Sequence, residues 1–277
     1  MESTEPLSGV GGTALGVARA RAWESRRPGG LFDDPYAKAF VAASPPATSP
    51  SASPPARPGG SRARLAFHVI IRTRFYDDYL LGACEAGCRQ VVLLAAGLDT
   101  RAYRLPWPDG VRLYELDLPE VLAFKDKVLT GENAAARCSR TALPVDLRED
   151  WPARLVEAGL DPARPTAWLI EGLLVYLTAD EAAHLLTRVG DLSAPGSRVS
   201  FERNNAARVI AEQDRTGIEE YAELWKGGLG PDTAGLLAGH GWRTEAHDLT
   251  TVAAAYDRPL PDPSLSGFLT ATYAPPR

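Results

Sequence analysis

The chain has 277 residues, 45% of them hydrophobic and 23% charged, which suits a soluble globular protein with one large α/β domain or two small ones. A net charge of −5 supplies no basic excess to neutralise phosphates, so no nucleic-acid partner is expected. The three cysteines are an odd number without CxxC or Cys/His ligand spacing, no signal peptide is expected at the N-terminus, and no run reaches the roughly 18 apolar residues of a membrane span, all of which fits a reducing cytoplasm.

Residues 1–12, rich in Ser, Gly and Glu, are expected to be disordered. Residues 13–43 read as two helices, the second capped by Asp34 with Pro35 at its first position. Residues 44–61, "SPPATSPSASPPARPGGS", forbid a helix or paired strand and read as a mobile surface loop. Residues 62–86 return to a helical pattern whose apolar face holds Leu65, Phe67, Val69, Ile70, Phe75, Tyr79 and Leu80. The arginine groups Arg19, Arg21, Arg26, Arg27 and Arg62, Arg64, Arg72, Arg74 read as solvated helix faces. Cys84 and Cys88 read as small packing residues.

From residue 90, short apolar runs alternate with helical stretches: "QVVLLAAG", "VRLYELDL", "TALPVDL", "TAWLIEG" and "SRVSFERN". Such runs predict parallel strands buried on both faces, hence a doubly wound, mostly parallel α/β sheet. Residues 204–230 form a polar helical interruption containing Tyr221 and Trp225. "AGLLAGHGWRTEAHDL" predicts a helix and an edge strand, and "GFLTATYAPP" a closing strand. One domain, 1–277, is expected: an N-terminal helical cap (1–90), a ligand-binding core (91–203), a helical insertion or lid (204–230) and a C-terminal helix with strands (231–277).

In open α/β sheets, ligands bind outside the carboxyl ends of the strands. Those ends carry Ala95-Ala96-Gly97, Glu115-Leu116-Asp117, Asp146-Leu147 and Glu171-Gly172. A small-residue turn lets backbone approach a ligand. Asp117, 20 residues after Gly97, is placed to accept from ribose hydroxyls, and Asp146 to take the exocyclic amine of adenine. The alternative for each acid is a helix cap. A dinucleotide needs G-x-G-x-x-G for its pyrophosphate. Here Asp99 follows the turn, and its charge opposes a pyrophosphate while tolerating a sulfonium. The electrostatics therefore favour S-adenosylmethionine over NAD, with a nicotinamide-dependent oxidoreductase and a non-catalytic cofactor-binding scaffold as alternatives.

"VVLLAAGLDTRAYRL", "YELDLPEVLAFK", "PVDLRED" and "LIEGLLVYL", in this order, resemble the leucine carboxyl methyltransferase family, in particular its actinobacterial branch of S-adenosylmethionine-dependent O-methyltransferases. "TALGVARARAWE", "LFDDPYAKAF" and "IRTRFYDDYL" match the same branch. The likeness covers roughly residues 13–190. It implies the seven-stranded, Rossmann-like sheet of class I methyltransferases. It also implies that Gly97 lies under the cofactor, Asp117 binds ribose with Leu118 beside it, and Asp146 and Leu147 bracket adenine. Glu171 would contact the methionine portion, and Arg72, helped by Arg21, its carboxylate. Ala95 departs from the family's wider "LGAG" pattern, so backbone approach is tighter there.

Methyl transfer from a sulfonium is an in-line displacement in which positioning supplies much of the rate. A carboxylate acceptor needs no general base, whereas a phenol would be helped by one. His68 reads as a packed core histidine, and no motif places His184, His240 or His247 at the methyl site. This scarcity leans towards a carboxylate of a small natural product or peptide, with a hydroxyl in polyketide-type secondary metabolism as the alternative. Tyr176 in "GLLVYL" reads either as facing the acceptor or as ordinary packing, and the same choice stands for Tyr221 and Trp225. No metal is expected, because no His/carboxylate set has ligand spacing. Oligomeric state is not legible from the sequence.

Overall fold

The computed structural model describes residues 9–44, 60–203, 219–230, 232–258 and 267–274. Seven strands form one sheet in the order β3-β2-β1-β4-β5-β7-β6. They are β1 (Gln90–Leu94), β2 (Arg112–Asp117), β3 (Ser139–Pro144), β4 (Thr166–Ile170), β5 (Arg198–Glu202), β6 (Trp242–His247) and β7 (Phe268–Tyr273). The first five pair in parallel, and β7 inserts antiparallel between β5 and β6. The central strands β1 and β4 are buried along their whole length, which is why they read as unbroken apolar runs. The edge strand β6 is largely exposed after Trp242.

The period of two splits the core between the faces of the sheet. Val91 and Leu93 of β1 pack with α1 (Gly9–Glu24), α2 (Ala37–Ala43), α3 (Ser61–Glu85), α5 (Pro119–Gly131) and α10 (Leu249–Ala255). Val92 and Leu94 face the other way, onto α6 (Trp151–Glu157), α7 (Ala179–Asp191) and α9 (Thr233–Gly239). The remaining helices are short: α4 (Arg101–Arg104) and α8 (Glu219–Ala222). Helix α7 starts on a full capping box, Thr178 with Glu181.

Several sequence expectations are corrected. Helix α1 begins at Gly9, inside the stretch expected to be disordered. Helix α2 begins at Ala37 rather than Pro35, although Asp34 does accept from the Tyr36 and Ala37 amides. "TRAYRL" makes a single turn, and α10 was not foreseen. Of the helical insertion, the described part is helical only over Glu219–Ala222. Residues 45–59 of the expected surface loop lie outside the described residues, as do 204–218 and the side chain of Tyr221. Arg21, Arg64 and Arg72 are buried, so the two arginine groups are not simply solvated helix faces. Cys84 and Cys88 are buried free thiols, as packing residues should be.

Candidate functional site

Strand order reverses between β1 and β4, and the site is built at that switch point from the carboxyl ends of the strands. After β1 the chain turns through left-handed conformations at Ala95 (φ +56°) and Gly97 (φ +51°). A Cβ on Gly97 would lie 3.5 Å from the Ala14 Cβ, so α1 closes over this turn. The Gly97 amide donates to Asp117 Oδ2 at 2.6 Å, and the Leu118 amide to Oδ1 at 2.7 Å. Burial raises the Asp117 pKa, and these two amides oppose the shift. The carboxylate is thus fixed at the end of β2 by the turn it serves.

The N-terminal helices are tied to the same turn. Arg21 donates to the Leu98 carbonyl at 2.5 Å and lies 3.4 Å from Asp34. Asp34 in turn accepts from the Thr100 hydroxyl at 2.8 Å. Arg21 therefore braces the turn from outside. Beyond β3, Asp146 is paired with the exposed Arg148, whose hydrogen bonds lower its pKa. Leu147 packs against the apolar cluster of the β2 end.

The densest polar assembly joins β4, β5, α3 and α4. Glu171, one residue past β4, accepts from Arg72 Nε at 2.9 Å and from Arg101 Nη1 at 2.7 Å. Arg101 also pairs with Asp99, and with Asp77 at 2.7 Å; Arg104 binds Asp77 as well, at 2.6 Å. Glu202, the last residue of β5, accepts from Arg72 Nη1 at 2.7 Å and from the Gly172 amide at 3.0 Å. Burial opposes ionisation of Glu171, but Arg101 and Arg72 outweigh it and hold its pKa down. For Asp99 burial acts upward too, yet Arg101 brings the carboxyl to about 2. Glu202 goes the other way, raised chiefly by burial. Three guanidinium groups here meet four carboxylates. With all ionised, one negative charge is left over. That balance suits a ligand of net positive charge and opposes a pyrophosphate.

This corrects one sequence argument. The Asp99 charge is paired with Arg101 inside the protein, so it does not act as a lone acid at the turn. The excess negative charge belongs to the assembly as a whole. Arg101, Asp77 and Glu202 were missed by the sequence reading. Glu202 ends a strand just as the acids of β2 and β4 do, and the same rule applied to β5 would have found it.

Arg72, Ala95, Gly97, Asp117, Leu118 and Glu171 lie at the ends of β1, β2 and β4 or pack onto them; Asp146 and Leu147 follow β3. Tyr176 ends a 3₁₀ turn, Leu174–Tyr176, and is half-buried. The Lys226 amide donates to the Val175 carbonyl at 2.8 Å and Gly228 to Leu177 at 2.8 Å, so the segment following Trp225 is stitched onto that turn. Trp225 packs against the cluster that contains Phe40 and Ile71. His68 is buried, and burial, then Arg72, lowers its pKa to about 3. His184 and His240 are exposed, and His247 bonds Thr270. No group of three or more metal-ligating side chains occurs among the described residues, and no described helix is long and apolar enough to cross a membrane.

The sheet order and the acid-lined strand ends are those of a class I methyltransferase. A structure of a DUF574-family protein from Streptomyces avermitilis shares the fold, with a TM-score of 0.59 at 18% identity over 93% of this chain and 97% of that one. A methyltransferase structure from Thermobifida fusca does so with a TM-score of 0.54 at 18% identity, covering 97% of this chain and 100% of the other. The leucine carboxyl methyltransferase family model matches residues 14–190. A protein of Parafrankia sp. (strain EAN1pec), named for S-adenosyl-L-methionine-dependent methyltransferase activity, is 50% identical over 276 residues, covering 96% of this chain and 88% of its own. The chain belongs to the leucine carboxyl methyltransferase family, which places it among the S-adenosylmethionine-dependent methyltransferases.

Proposed function

We propose that the protein methylates a carboxylate of a small natural product or peptide, giving a methyl ester. The observation that carries the choice of acceptor is that neither His68 nor Tyr76 beside Arg72 and Glu171 is poised as a base, while Glu202, whose pKa burial raises, is tied up by Arg72 and the Gly172 amide. His68 has a pKa of about 3, and burial pushes the Tyr76 hydroxyl well above its usual range. A phenol acceptor would call for a group that takes a proton near neutrality, whereas a carboxylate arrives ionised.

When bound, S-adenosylmethionine supplies an electrophilic methyl group on a sulfonium. Asp117 holds the ribose hydroxyls, while Asp146 and Leu147 flank the adenine. The exposed Asp146–Arg148 pair is screened and cheap to rearrange. Arg72 takes the cofactor carboxylate and Glu171 the amino group, a matched pair for a zwitterion. Gly97, Ala95 and Leu118 shape the backbone floor, and Arg21 acts through the turn it braces. Tyr176 faces the acceptor beside the stitched segment at Lys226–Gly228.

Incubation with methyl-labelled cofactor and a panel of carboxylic acids tests the reading. Label released by mild base is expected, as an ester requires. Base-stable label would move the acceptor to a hydroxyl, and methyl transfer to no acceptor would leave a cofactor-binding protein.

A further inference from the structure

Glu202 takes no part in the reading above, yet it holds Arg72 and the turn that carries Glu171. Its side chain leaves β5 opposite Phe268 of β7, on the face covered by α3. It is only 15% exposed. One oxygen accepts from Arg72 Nη1 at 2.7 Å, and the Gly172 amide reaches both oxygens, at 3.0 and 3.1 Å. Gly172 follows Glu171 directly and has φ +68°; a Cβ there would sit 3.4 Å from Arg72 Nη1. The turn after β4 and the Arg72 guanidinium are therefore packed face to face, and Glu202 clamps both.

The division of labour around Arg72 is specific. Glu171 takes Nε and Glu202 takes Nη1, on different sides of the planar guanidinium. Two anchored sides leave the fork no rotation, so its Nη2 edge keeps one direction. Nη2, which neither glutamate takes, is then a directed donor for a ligand carboxylate. Glu171 alone could not supply that direction, because its second oxygen is committed to Arg101.

We infer that Glu202 is a positioning residue for the methionine end of the cofactor: it orients Arg72 and fixes the Glu171-Gly172 turn without touching the ligand. This rests on the proposed assignment of Arg72 and Glu171 to that end. The adenosine end, held by Asp117 and Asp146, lies on the other strands and should not feel Glu202.

The test compares calorimetric affinities of the full chain for S-adenosylhomocysteine, which carries the methionine portion, and adenosine, which lacks it. Glu202→Ala is expected to weaken S-adenosylhomocysteine about tenfold or more, the scale of the charge-assisted hydrogen bond that a misdirected Arg72 would no longer make to it, and to leave adenosine within about twofold. Glu202→Gln keeps an oxygen acceptor without the charge and should fall between, its loss again confined to S-adenosylhomocysteine. It carries the test if the alanine variant does not fold. Equal weakening of both ligands, or no change in either, overturns the inference. Wild-type protein that binds adenosine but not S-adenosylhomocysteine overturns the Arg72 and Glu171 assignment itself, and the inference with it.

Discussion

Ala95 shows how much a single residue can reveal and conceal. The sequence marks it as a departure, alanine where the family's wider pattern has glycine, and predicts closer crowding. The structure gives the reason glycine is favoured: the backbone is left-handed there, at φ +56°. An L-residue other than glycine is strained by about 1–2 kcal/mol in that region, while glycine adds about 0.4–1 kcal/mol of unfolded-state entropy to lose. Ala95→Gly is therefore expected to stabilise the fold by about 0.5–1 kcal/mol. A urea titration with an unchanged slope and a raised midpoint would establish this, and a lowered midpoint would refute it. Asp117 and Glu171 were legible because they end strands that the apolar pattern locates. Arg72 was not legible from the residues alone. Its partners Glu171 and Glu202 lie 99 and 130 residues away, and before folding it is indistinguishable from any arginine on a helix.

At the scale of elements, α3 and the α1–α2 cap do more than cover the sheet. His68, Arg72 and Tyr76 recur every four residues, so they form one stripe of α3 turned to the ends of β4 and β5. The apolar periodicity located the helix and read His68 as a packed core histidine, but it could not show that Arg72 and Tyr76 share that buried stripe. The cap is pinned by one carboxylate. Asp34 has a fully buried side chain and accepts from Thr100, Tyr36 and Ala37. Asp34→Ala removes every one of those acceptors and leaves Arg21 without its ion pair. A loss of about 2–3 kcal/mol is expected, since a buried charged acceptor is being deleted. Chemical denaturation measures it, and trypsin should cut first near α1 and α2. A loss below about 0.5 kcal/mol, with unchanged cleavage, would show that the cap does not depend on Asp34.

For the whole molecule, the alternation of apolar runs was enough to predict a mostly parallel sheet, because strands buried on both faces carry no polar alternation to obscure them. The charge assembly at its carboxyl edge was not legible, and it has a consequence for stability against pH. Asp99 within it and His68 beside it titrate abnormally low. His68 has a folded pKa of about 3 against an ordinary 6.5, and Asp99 about 2 against 3.8. In both cases the unfolded chain binds the proton first, so stability falls as pH falls. His68 acts from about pH 6.5 downward and Asp99 only below about pH 4. Glu202 works in the opposite sense: its raised pKa makes the folded state take the proton first, and that contribution is lost as pH rises above the ordinary carboxylate range. Between pH 7 and pH 5 the His68 contribution amounts to about 2 kcal/mol of lost unfolding free energy. His68→Phe keeps an aromatic ring against Phe268, 5.8 Å away in the wild type, and removes the titration. Urea unfolding of the two proteins at pH 7 and pH 5 should show a wild-type drop that is larger than the variant's by that amount. Equal drops would mean that the proton enters elsewhere and that His68 is not what makes the fold acid-sensitive.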